Sequence, residues 1–490
     1  MRYLKKLALL ILVLLTGFSC QDSLELENPN TLTADTFFKS PEQLQAAVDA
    51  IYADFQTEDL FMRNWYYIYD NMSGDVRATP QHEANKRVFK DFTWISNDEI
   101  IEGYWENAFR GVNKANFVIF NQDNFENVTD EQINQAVGEA RFLHAYYLFI
   151  LVTRFGDIPL ITEPTAIDQP RSPAEQVYEA IITDLEDAAG KLSSRTGTQG
   201  GRPSSGAAYA LLGKVHLYLK NYQAAFEAFS NINGYDLATN YEDNFLEETE
   251  YNIESLFEIT FIGEPQGYDW NGVNNGQGFN ELTFRGQDMG WNDWFNSYPS
   301  PDLIDEYEDG DPRFGVNFYQ DGDLFNNGTQ TVTIPDVAEG FAWKKYQNYY
   351  KREKENSASG INPRIIRYAD VLLMQAETEL FRPGGSISEA IDLMNRVRDR
   401  VGMPRYGTPA MNTTYPVGNQ QQVFDALIHE RRVELAGEQV RFDDLLRWGL
   451  AADELSPFGY QEGKHNLWPI PEAEINANSA ISVADQNPGY

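Results

Sequence analysis

Apolar residues recur at the spacing of an α-helix over two long parts of the chain, and this periodicity restricts the fold to a mainly α-helical one. Positions i, i+3, i+4, i+7 and i+8 share one face of a helix, which is buried against other helices. In the first such segment these positions are Leu44, Ala47, Val48, Ile51 and Tyr52. The pattern predicts helices in residues 41–56, 97–120, 129–154, 172–192, 207–218, 222–232, 368–379, 387–401 and 421–435.

Two of the predicted helices, residues 207–218 and 222–232, form a tight hairpin that carries part of a tetratricopeptide signature. Gly213, Ala225 and Phe229 fall at the spacings of that repeat. The glycine lets two helices approach closely, the alanine packs under it, and the phenylalanine fills the gap between repeats. Several helical hairpins occur in the same region, so we expect a helical body of tetratricopeptide-like repeats.

Between residues 234 and 350 the helical periodicity mostly disappears, and glycine, asparagine and aromatic residues dominate. This composition is typical of long loops and short strands that pack on a helical body. We therefore divide the mature chain into three parts. These are an N-terminal helical part, residues 36–233, a loop-rich part suited to ligand binding, residues 234–360, and a C-terminal helical part with its tail, residues 361–490.

The N terminus has the form of a lipoprotein signal. Three basic residues within the first six precede an unbroken apolar run from Leu7 to Leu15, which is too short to span a bilayer. The single cysteine of the chain, Cys20, follows at the position of a lipid acceptor. We expect residues 1–19 to be a signal peptide and residues 20–35 a lipidated tether. An ordinary cleaved secretion signal with a free cysteine is the alternative.

Charge and metal-ligating residues exclude several classes of function. The chain carries 74 acidic and 38 basic side chains, for a net charge of −36, so a nucleic-acid partner is disfavoured. One cysteine cannot form a disulfide or a cysteine-type zinc site, and the five histidines lack metal-ligand spacing. We expect no cofactor. Aspartate-rich turns at residues 309–311 and 321–323 leave calcium as an alternative, although the second lacks the glycine of an EF-hand loop.

A cluster of charged residues near the C terminus is interpreted as an ion-pair network that holds the last helices together. Such clusters are more often paired or solvated faces than catalytic sites. The cluster contains Glu430, Arg431, Arg432, Glu434, Arg441, Asp443 and Asp444.

Five segments of the sequence resemble the SusD/RagB family of outer-membrane nutrient-binding lipoproteins. They occur in the family's order and span nearly the whole chain. The segments are Cys20 with the following Asp22 to Leu26, GEARFL at 138–143 through RFGDIPL at 154–160, IIRYADVLLM at 365–374, HERRVEL at 429–435 through RFDDLLRW at 441–448, and QNPGY at 486–490.

The resemblance implies a fold, a location and a partner. The fold would be a helical body with tetratricopeptide-like repeats and an irregular ligand-binding part. The protein would be anchored by lipid in the outer membrane and face the cell exterior. Its partner would be a SusC-like TonB-dependent transporter, which it would cover as a hinged lid. Members of the family capture glycans, or less often peptides, and are not enzymes.

Two stretches, residues 64–94 and 267–298, have the composition that carbohydrate recognition requires, and we expect both to be loops. A sugar ring stacks its apolar face on a flat aromatic side chain, and its hydroxyls bind planar amide, carboxylate or guanidinium groups. In the resembled family the loop between the first two long helices often lines the ligand site, and its acidic position matches Asp75. The candidate ligand-binding residues are Trp65, Tyr67, Asp75, Arg77, Trp94, Trp270, Asn274, Trp291 and Trp294.

The leading hypothesis is a surface protein that captures an oligosaccharide and delivers it to a transporter without bond chemistry. One alternative is a surface glycoside hydrolase, which would need two carboxylates about 5–10 Å apart. The others are a peptide-binding member of the same family and a repeat-type adaptor for other proteins. The large negative charge favours a neutral glycan over a uronate or sulfate polymer.

Overall fold

The computed structural model describes residues 40–161, 168–263, 281–355 and 359–490. Within these ranges the protein is mainly α-helical with few short strands, as predicted. No helix of this part is long and apolar enough to cross a membrane. Cys20, Trp270 and Asn274 lie outside the described residues.

The N-terminal part consists of helices that pack together and share one large apolar core. Its two longest helices match the predicted segments closely. The second of them begins at a capping box, in which the Thr129 hydroxyl accepts from the backbone N–H of Gln132 and the Gln132 side chain accepts from that of Thr129. The helices are α1 Pro41–Ala53, α2 Asn64–Met72, α3 Ala84–Lys90, α4 Glu99–Phe120, α5 Asp130–Phe155, α6 Ala174–Lys191, α7 Ser205–Tyr218 and α8 Tyr222–Ser230.

The remaining helices continue along the chain from residue 285. The three longest, α12 to α14 below, pack together around a second apolar core. The helices are α9 Arg285–Met289, α10 Pro301–Asp305, α11 Pro312–Asn317, α12 Tyr368–Phe381, α13 Ile387–Val401, α14 Gln420–Glu434, α15 Arg441–Trp448, α16 Ala451–Leu455 and α17 Glu472–Ala477.

The described strands are short and pair two by two, all antiparallel. The pairs are β1 with β5, β2 with β3, β4 with β10, β6 with β9 and β7 with β8. The strands are β1 Val76–Ala78, β2 Ile158–Pro159, β3 Arg171–Ser172, β4 Ser255–Glu258, β5 Ser297–Pro299, β6 Phe318–Gln320, β7 Leu324–Phe325, β8 Gln330–Thr331, β9 Phe341–Trp343 and β10 Arg364–Arg367.

The prediction that residues 64–94 form a loop is wrong. Helix α2 and helix α3 occupy much of this stretch. All nine residues of α2 are buried, so apolar and aromatic residues occur on every face of the helix. A helix that is buried all round shows no apolar stripe, and the periodicity that would identify it is therefore missing.

The charged cluster near the C terminus forms an ion-pair network, as predicted, and the network is buried. Arg431 donates to Asp444 at 2.8 Å, which joins helix α14 to helix α15. Arg313 donates to Glu430 at 2.6 Å and to Glu434 at 3.0 Å. Because Arg313 belongs to helix α11, the network also attaches the loop-rich part to the C-terminal helices.

The predicted helical hairpin forms, and its glycine has the role that the repeat signature assigns. Helices α7 and α8 pack side by side. A Cβ atom added at Gly213 would lie 2.3 Å from the Phe229 ring, with further ring atoms below 3 Å. Phe229 is therefore seated directly on the glycine backbone, and this close approach fixes the spacing of the two helices.

Gly213→Ala is expected to lower the free energy of unfolding by about 1–3 kcal/mol, because the added methyl group forces Phe229 out of its packed position. Thermal denaturation followed by circular dichroism measures the effect. Gly190 is the matched control, since it lies in helix α6 with no atom within 4 Å of an added Cβ. Gly190→Ala is expected to stabilise by about 0.5–1 kcal/mol. Equal effects of the two substitutions would contradict this packing argument.

Candidate functional site

The structure brings the two stretches singled out in the sequence into contact. Strand β1 of the first stretch pairs with strand β5 of the second, with Arg77 opposite Tyr298. Side chains extend the contact, since the Asn296 amide donates to the Tyr67 hydroxyl at 2.5 Å. The aromatic residues of both stretches therefore belong to one region of the molecule.

A buried carboxylate, Asp288, lies at the centre of this contact. Arg63 donates to it through Nε and Nη2 at 2.9 and 2.8 Å. The Tyr66 hydroxyl donates at 2.5 Å and the Asn296 amide at 3.2 Å. Four hydrogen bonds from three residues satisfy both oxygens, so Asp288 ties helix α2 to residues 288–296 as a rigid unit.

The side chains of Arg63, Tyr66 and Tyr67 keep their usual protonation states near neutral pH. Burial and then the Asp288 charge raise the pKa of Tyr66 and of Tyr67 well above the ordinary value. Burial alone would lower the pKa of Arg63, but the Asp288 carboxylate raises it above its ordinary value. Arg63 therefore stays charged and the two tyrosines stay protonated.

Trp294 is the exposed aromatic side chain on this unit. Its indole is 37% exposed. Its ring lies nearly parallel to that of Phe284, at 11° and 6.5 Å between centroids. The Arg63 guanidinium carbon is 5.3 Å from the indole centroid. Trp294 is thus held by an aromatic ring and a cation that is itself fixed by Asp288, which leaves an ordered indole at the surface.

Amide and carboxylate side chains accompany Trp294 along the chain. Gln287, whose carbonyl accepts from the Trp294 backbone N–H at 3.2 Å, is partly exposed, as is Asn292. Asp293 is also partly exposed, and its carboxylate accepts from the Tyr349 hydroxyl at 2.6 Å. An ordered indole beside such groups has the chemistry that binds a sugar ring, with an apolar platform and hydrogen-bonding groups for hydroxyls.

Comparison with known proteins identifies the family. The model of the SusD family matches residues 228–490, which is more than half of the chain. The chain belongs to the SusD family. A second model, described as "Starch-binding associating with outer membrane", matches residues 22–217, so the two together span almost the whole sequence.

Relatives of this SusD family member are similar over most of their length. SusD-like protein P2 of Formosa agariphila is 28% identical over 98% of this chain and 98% of its own. The starch-binding protein SusD of Bacteroides thetaiotaomicron is 23% identical over 81% of this chain and 80% of its own. A solved structure described as a laminarin-binding SusD-like protein superposes with a TM-score of 0.79. It is 28% identical and covers 92% of this chain and 100% of its own.

These relationships establish the coarse role of the protein. The family descriptions associate this SusD family member with glycan binding and with the outer membrane. The fold agrees, since a SusD homologue from Bacteroides thetaiotaomicron, 21% identical, also superposes with a TM-score of 0.79 over 93% of this chain and 98% of its own.

Three candidate residues of the first stretch are buried, and the expectation that they are exposed is wrong. Trp65 and Tyr67 lie on helix α2, which is enclosed by the core. Trp94 is 1% exposed, because its ring packs on Phe89 and its Nε1–H donates to the Tyr490 hydroxyl at 2.6 Å. Of the three, Tyr67 contacts the second stretch, through the hydrogen bond from Asn296.

Trp291 is also buried, contrary to expectation. It is 8% exposed and belongs to a small apolar core of the loop-rich part. Its ring meets Phe325 edge-on at 5.2 Å and lies 5.5 Å from Tyr349. A long loop region far from the main core needs an apolar cluster of its own, and Trp291 is part of it.

The two polar candidates of the first stretch make structural contacts. Asp75 is buried and accepts from Arg432 at 2.7 and 3.1 Å, which ties the turn before strand β1 to helix α14. Arg77 is half-buried, donates to the carbonyls of Gly74 and Val76, and covers the Phe458 ring at 5.0 Å. The Asp75 charge is therefore paired with Arg432, whereas Arg77 pairs with no carboxylate among the described residues and remains partly exposed.

Three residues that position Trp294 could not be recognised as candidates from the sequence. They are Arg63, Asp288 and Phe284. Arg63 and Asp288 are 225 residues apart, and each is an ordinary charged residue in its local context. The pattern of the Trp-rich stretch indicated where an exposed indole could occur. No local signal identified which indole the fold would leave at the surface.

Three of the four carboxylates in the aspartate-rich turns accept hydrogen bonds within the protein. Asp311 is buried and accepts from the Arg313 side chain at 2.7–3.1 Å. Asp321 accepts from the Ile334 backbone N–H at 2.5 Å, and Asp323 from that of Gln320 at 2.8 Å. Among the described residues no group of three or more His, Cys, Asp or Glu side chains is arranged to hold a metal ion.

Helix α2 begins beside a carboxyl group whose pKa lies near neutrality. Asp59 accepts from the neutral amides of Asn64 and Asn107 at 3.1 and 3.0 Å. Burial, followed by the charge of nearby Glu58, raises the pKa of Asp59 to about 7. The folded protein therefore binds a proton here that the unfolded chain releases at lower pH.

The contribution of Asp59 to the free energy of unfolding is expected to fall as pH rises from about 4 to about 7, by up to about 4 kcal/mol, and to level off above that. Folding favours the protonated form, so stability is lost as pH rises through the folded pKa. Asp59→Asn should abolish this difference, and urea denaturation at pH 5 and pH 8 measures it. Asp54, which Arg110 and Lys114 bind, is the control, since Asp54→Asn is expected to destabilise at pH 8. Parallel pH profiles for wild type and Asp59→Asn would contradict the assignment.

Proposed function

We propose that this protein is a cell-surface lipoprotein that captures an oligosaccharide and delivers it to a SusC-like TonB-dependent transporter. The observation that carries the proposal is the exposed, rigidly supported indole of Trp294 beside amide and carboxylate groups. Stacking on such a platform costs little conformational entropy, because the ring is already fixed before the sugar arrives.

The ligand we propose is a neutral glycan. Arg63, the cation beside Trp294, is paired with Asp288 and Glu83, and the nearby Lys86 is also paired with Glu83. A polyanionic glycan would therefore meet little uncompensated positive charge there, in a protein of net charge −36. Laminarin, a neutral glucan, is the first probe to use, since a relative that shares 28% of its residues is described as binding it.

The N-terminal sequence supports a proposal for how the protein is anchored and oriented. We propose that Cys20 carries the lipid, that the tether holds the protein on the outer membrane facing the cell exterior, and that the protein covers its transporter as a hinged lid. The association of the family with the outer membrane supports this arrangement. A lipid anchor with more than one acyl chain would keep the protein at the membrane for as long as capture requires.

The hydrogen bonds and ion pairs of the carboxylates around Trp294 favour binding of a glycan without cleavage. A hydrolase needs one carboxyl group free to donate a proton and a second to stabilise or attack the sugar. Asp288 is fully buried and held by Arg63, Tyr66 and Asn296, and Glu83 is paired with Arg63 and Lys86. Neither is placed to act as a general acid. Asp293, the partly exposed carboxylate next to Trp294 in the chain, accepts from the Tyr349 hydroxyl at 2.6 Å and from the Glu355 backbone N–H at 3.0 Å. We therefore propose that the protein is a binding protein and not an enzyme.

Affinity gel electrophoresis of the mature protein against a panel of polysaccharides tests the proposal, with laminarin, starch, xylan and alginate in separate gels. We expect retardation by a neutral glucan, no retardation by alginate, and no new reducing ends after prolonged incubation. New reducing ends would support the hydrolase instead. Mobility unchanged in every gel, with capture from a peptide library, would support the peptide-binding alternative.

A further inference from the structure

A second cleft lies apart from the Trp294 surface, where helices α5, α6, α7 and α15 meet the chain terminus. Its volume is about 660 Å³, within the range of pockets that bind small ligands. None of its lining residues belongs to the two stretches that form the Trp294 surface. Arg154, Arg171, Tyr178, Tyr218, Asp443 and Asn487 are among the residues that line it, and we name it the Arg154 cleft.

Arg154 is a buried guanidinium with an unused donor. It is 2% exposed, and one of its terminal nitrogens pairs with Asp443. Its Nε–H finds no acceptor in the described part of the chain. The guanidinium is held by the rings of Tyr69 and Phe442, whose centroids are 5.2 and 5.1 Å from its central carbon. A fixed, buried donor without an acceptor is costly unless a bound molecule supplies one.

Two phenol side chains line the cleft together with Arg154 and Asp443. The hydroxyls of Tyr178 and Tyr218 form no hydrogen bond with any described residue. Burial raises the pKa of both phenols, and the Asp443 charge adds to the increase, so both hydroxyls stay protonated near neutral pH. The Tyr218 ring is fixed by an edge-on contact with Phe149 at 5.1 Å. Hydrogen-bonding groups of four side chains therefore line one cleft.

We infer that the Arg154 cleft is a second carbohydrate site, which takes a short neutral oligosaccharide or the end of a longer chain. The unused Nε–H of Arg154, the Asp443 carboxylate and the two phenol hydroxyls supply the donors and acceptors that neighbouring sugar hydroxyls need. The half-buried rings of Tyr178 and Tyr218 supply apolar surface in the lining of the cleft. The Arg154–Asp443 pair is neutral as a unit, which suits an uncharged ligand.

Saturation-transfer NMR with laminaritriose and with maltotriose, each at millimolar concentration, tests the inference on the mature protein. Trp294→Ala is combined with the substitutions Tyr178→Phe and Tyr218→Phe, which remove only the hydroxyls. We expect Trp294→Ala alone to retain transfer to at least one sugar through the Arg154 cleft. The triple variant should bind that sugar about tenfold more weakly or not detectably. Tyr209→Phe, on the same helix as Tyr218 but not lining the cleft, should have no effect.

The experiment tests the Arg154 cleft and the Trp294 surface separately. The inference is overturned if Trp294→Ala binds neither sugar, or if the triple variant binds as the single variant does. Circular dichroism of each variant shows whether it has folded, and Tyr178→Phe and Tyr218→Phe can be tested singly if the combination fails to fold. If laminarin retardation is unchanged by Trp294→Ala, the proposed Trp294 surface is wrong, and the tyrosine substitutions still decide about the cleft.

Discussion

Arg367→Met is expected to lower the free energy of unfolding by about 3–5 kcal/mol, because it removes one cation from three buried carboxylates. Arg400, Arg313 and Lys345 then compensate those charges only in part. Arg367 is 1% exposed. Its Nη1 donates to Glu254 at 2.7 Å and to Glu434 at 2.6 Å, and its Nε donates to Glu438 at 2.6 Å. Methionine fills a similar volume, so the loss comes from the charge rather than from a cavity. Urea denaturation at neutral pH measures it.

An exposed ion pair provides the control for this prediction. Arg405 donates to Asp399 at 2.6 Å, but the two side chains are 57% and 45% exposed. Arg405→Met is expected to change the free energy of unfolding by less than about 1 kcal/mol, because solvent screens the pair and the side chains lose entropy when they form it. Similar denaturation midpoints for the two variants would show that burial does not decide the strength of these contacts.

Trp294→Ala is expected to weaken binding to the neutral glucan about tenfold or more, with an unchanged circular dichroism spectrum. The indole is the exposed platform of the site, and loss of one stacked aromatic ring removes about 1–2 kcal/mol of binding free energy. Isothermal titration with a soluble laminari-oligosaccharide measures the change. The fold should be unaffected, because Trp294 lies at the edge of the Asp288 unit and outside the apolar cores.

Ile95 is the matched control, since it is an exposed apolar side chain outside the two stretches that form the Trp294 surface. Ile95→Ala removes surface apolar area of a similar kind and is expected to leave affinity unchanged. Equal affinities of the wild type and the Trp294→Ala variant would place the glycan elsewhere, whatever the family relationship suggests. A loss of affinity in both variants would indicate a nonspecific effect of surface hydrophobicity.

The helical architecture could be predicted from the sequence wherever a helix has one apolar and one polar face. The sequence predicts helix α13 at residues 387–401, and the helix occupies Ile387–Val401. Its apolar residues lie on one face and its charged residues on the other, which makes the helical period easy to recognise. Helix α2 could not be predicted in the same way, because all its faces are buried. Its run of consecutive aromatic residues therefore resembled a binding loop.

The site could be predicted only in part. The composition of the two stretches indicated where aromatic and polar side chains occur along the chain. The structure adds that the two stretches meet through a strand pair. Whether a particular indole is exposed depends on residues distant in sequence. Trp94 is covered by Tyr490, almost 400 positions away, whereas Trp294 is supported by Arg63 from beneath. The local composition does not indicate such contacts, because they form only when the whole chain folds.

The position of a bound glycan is the most direct test of the account. The crystal structure of the mature protein, soaked with laminarihexaose, should show a sugar ring stacked on the Trp294 indole, with hydroxyls near Gln287, Asn292 or Asp293 and every glycosidic bond intact. Sugar density confined to other surfaces, or an unliganded Trp294 in a crystal whose lattice leaves it open, would contradict the central claim that this ordered indole is what captures the ligand.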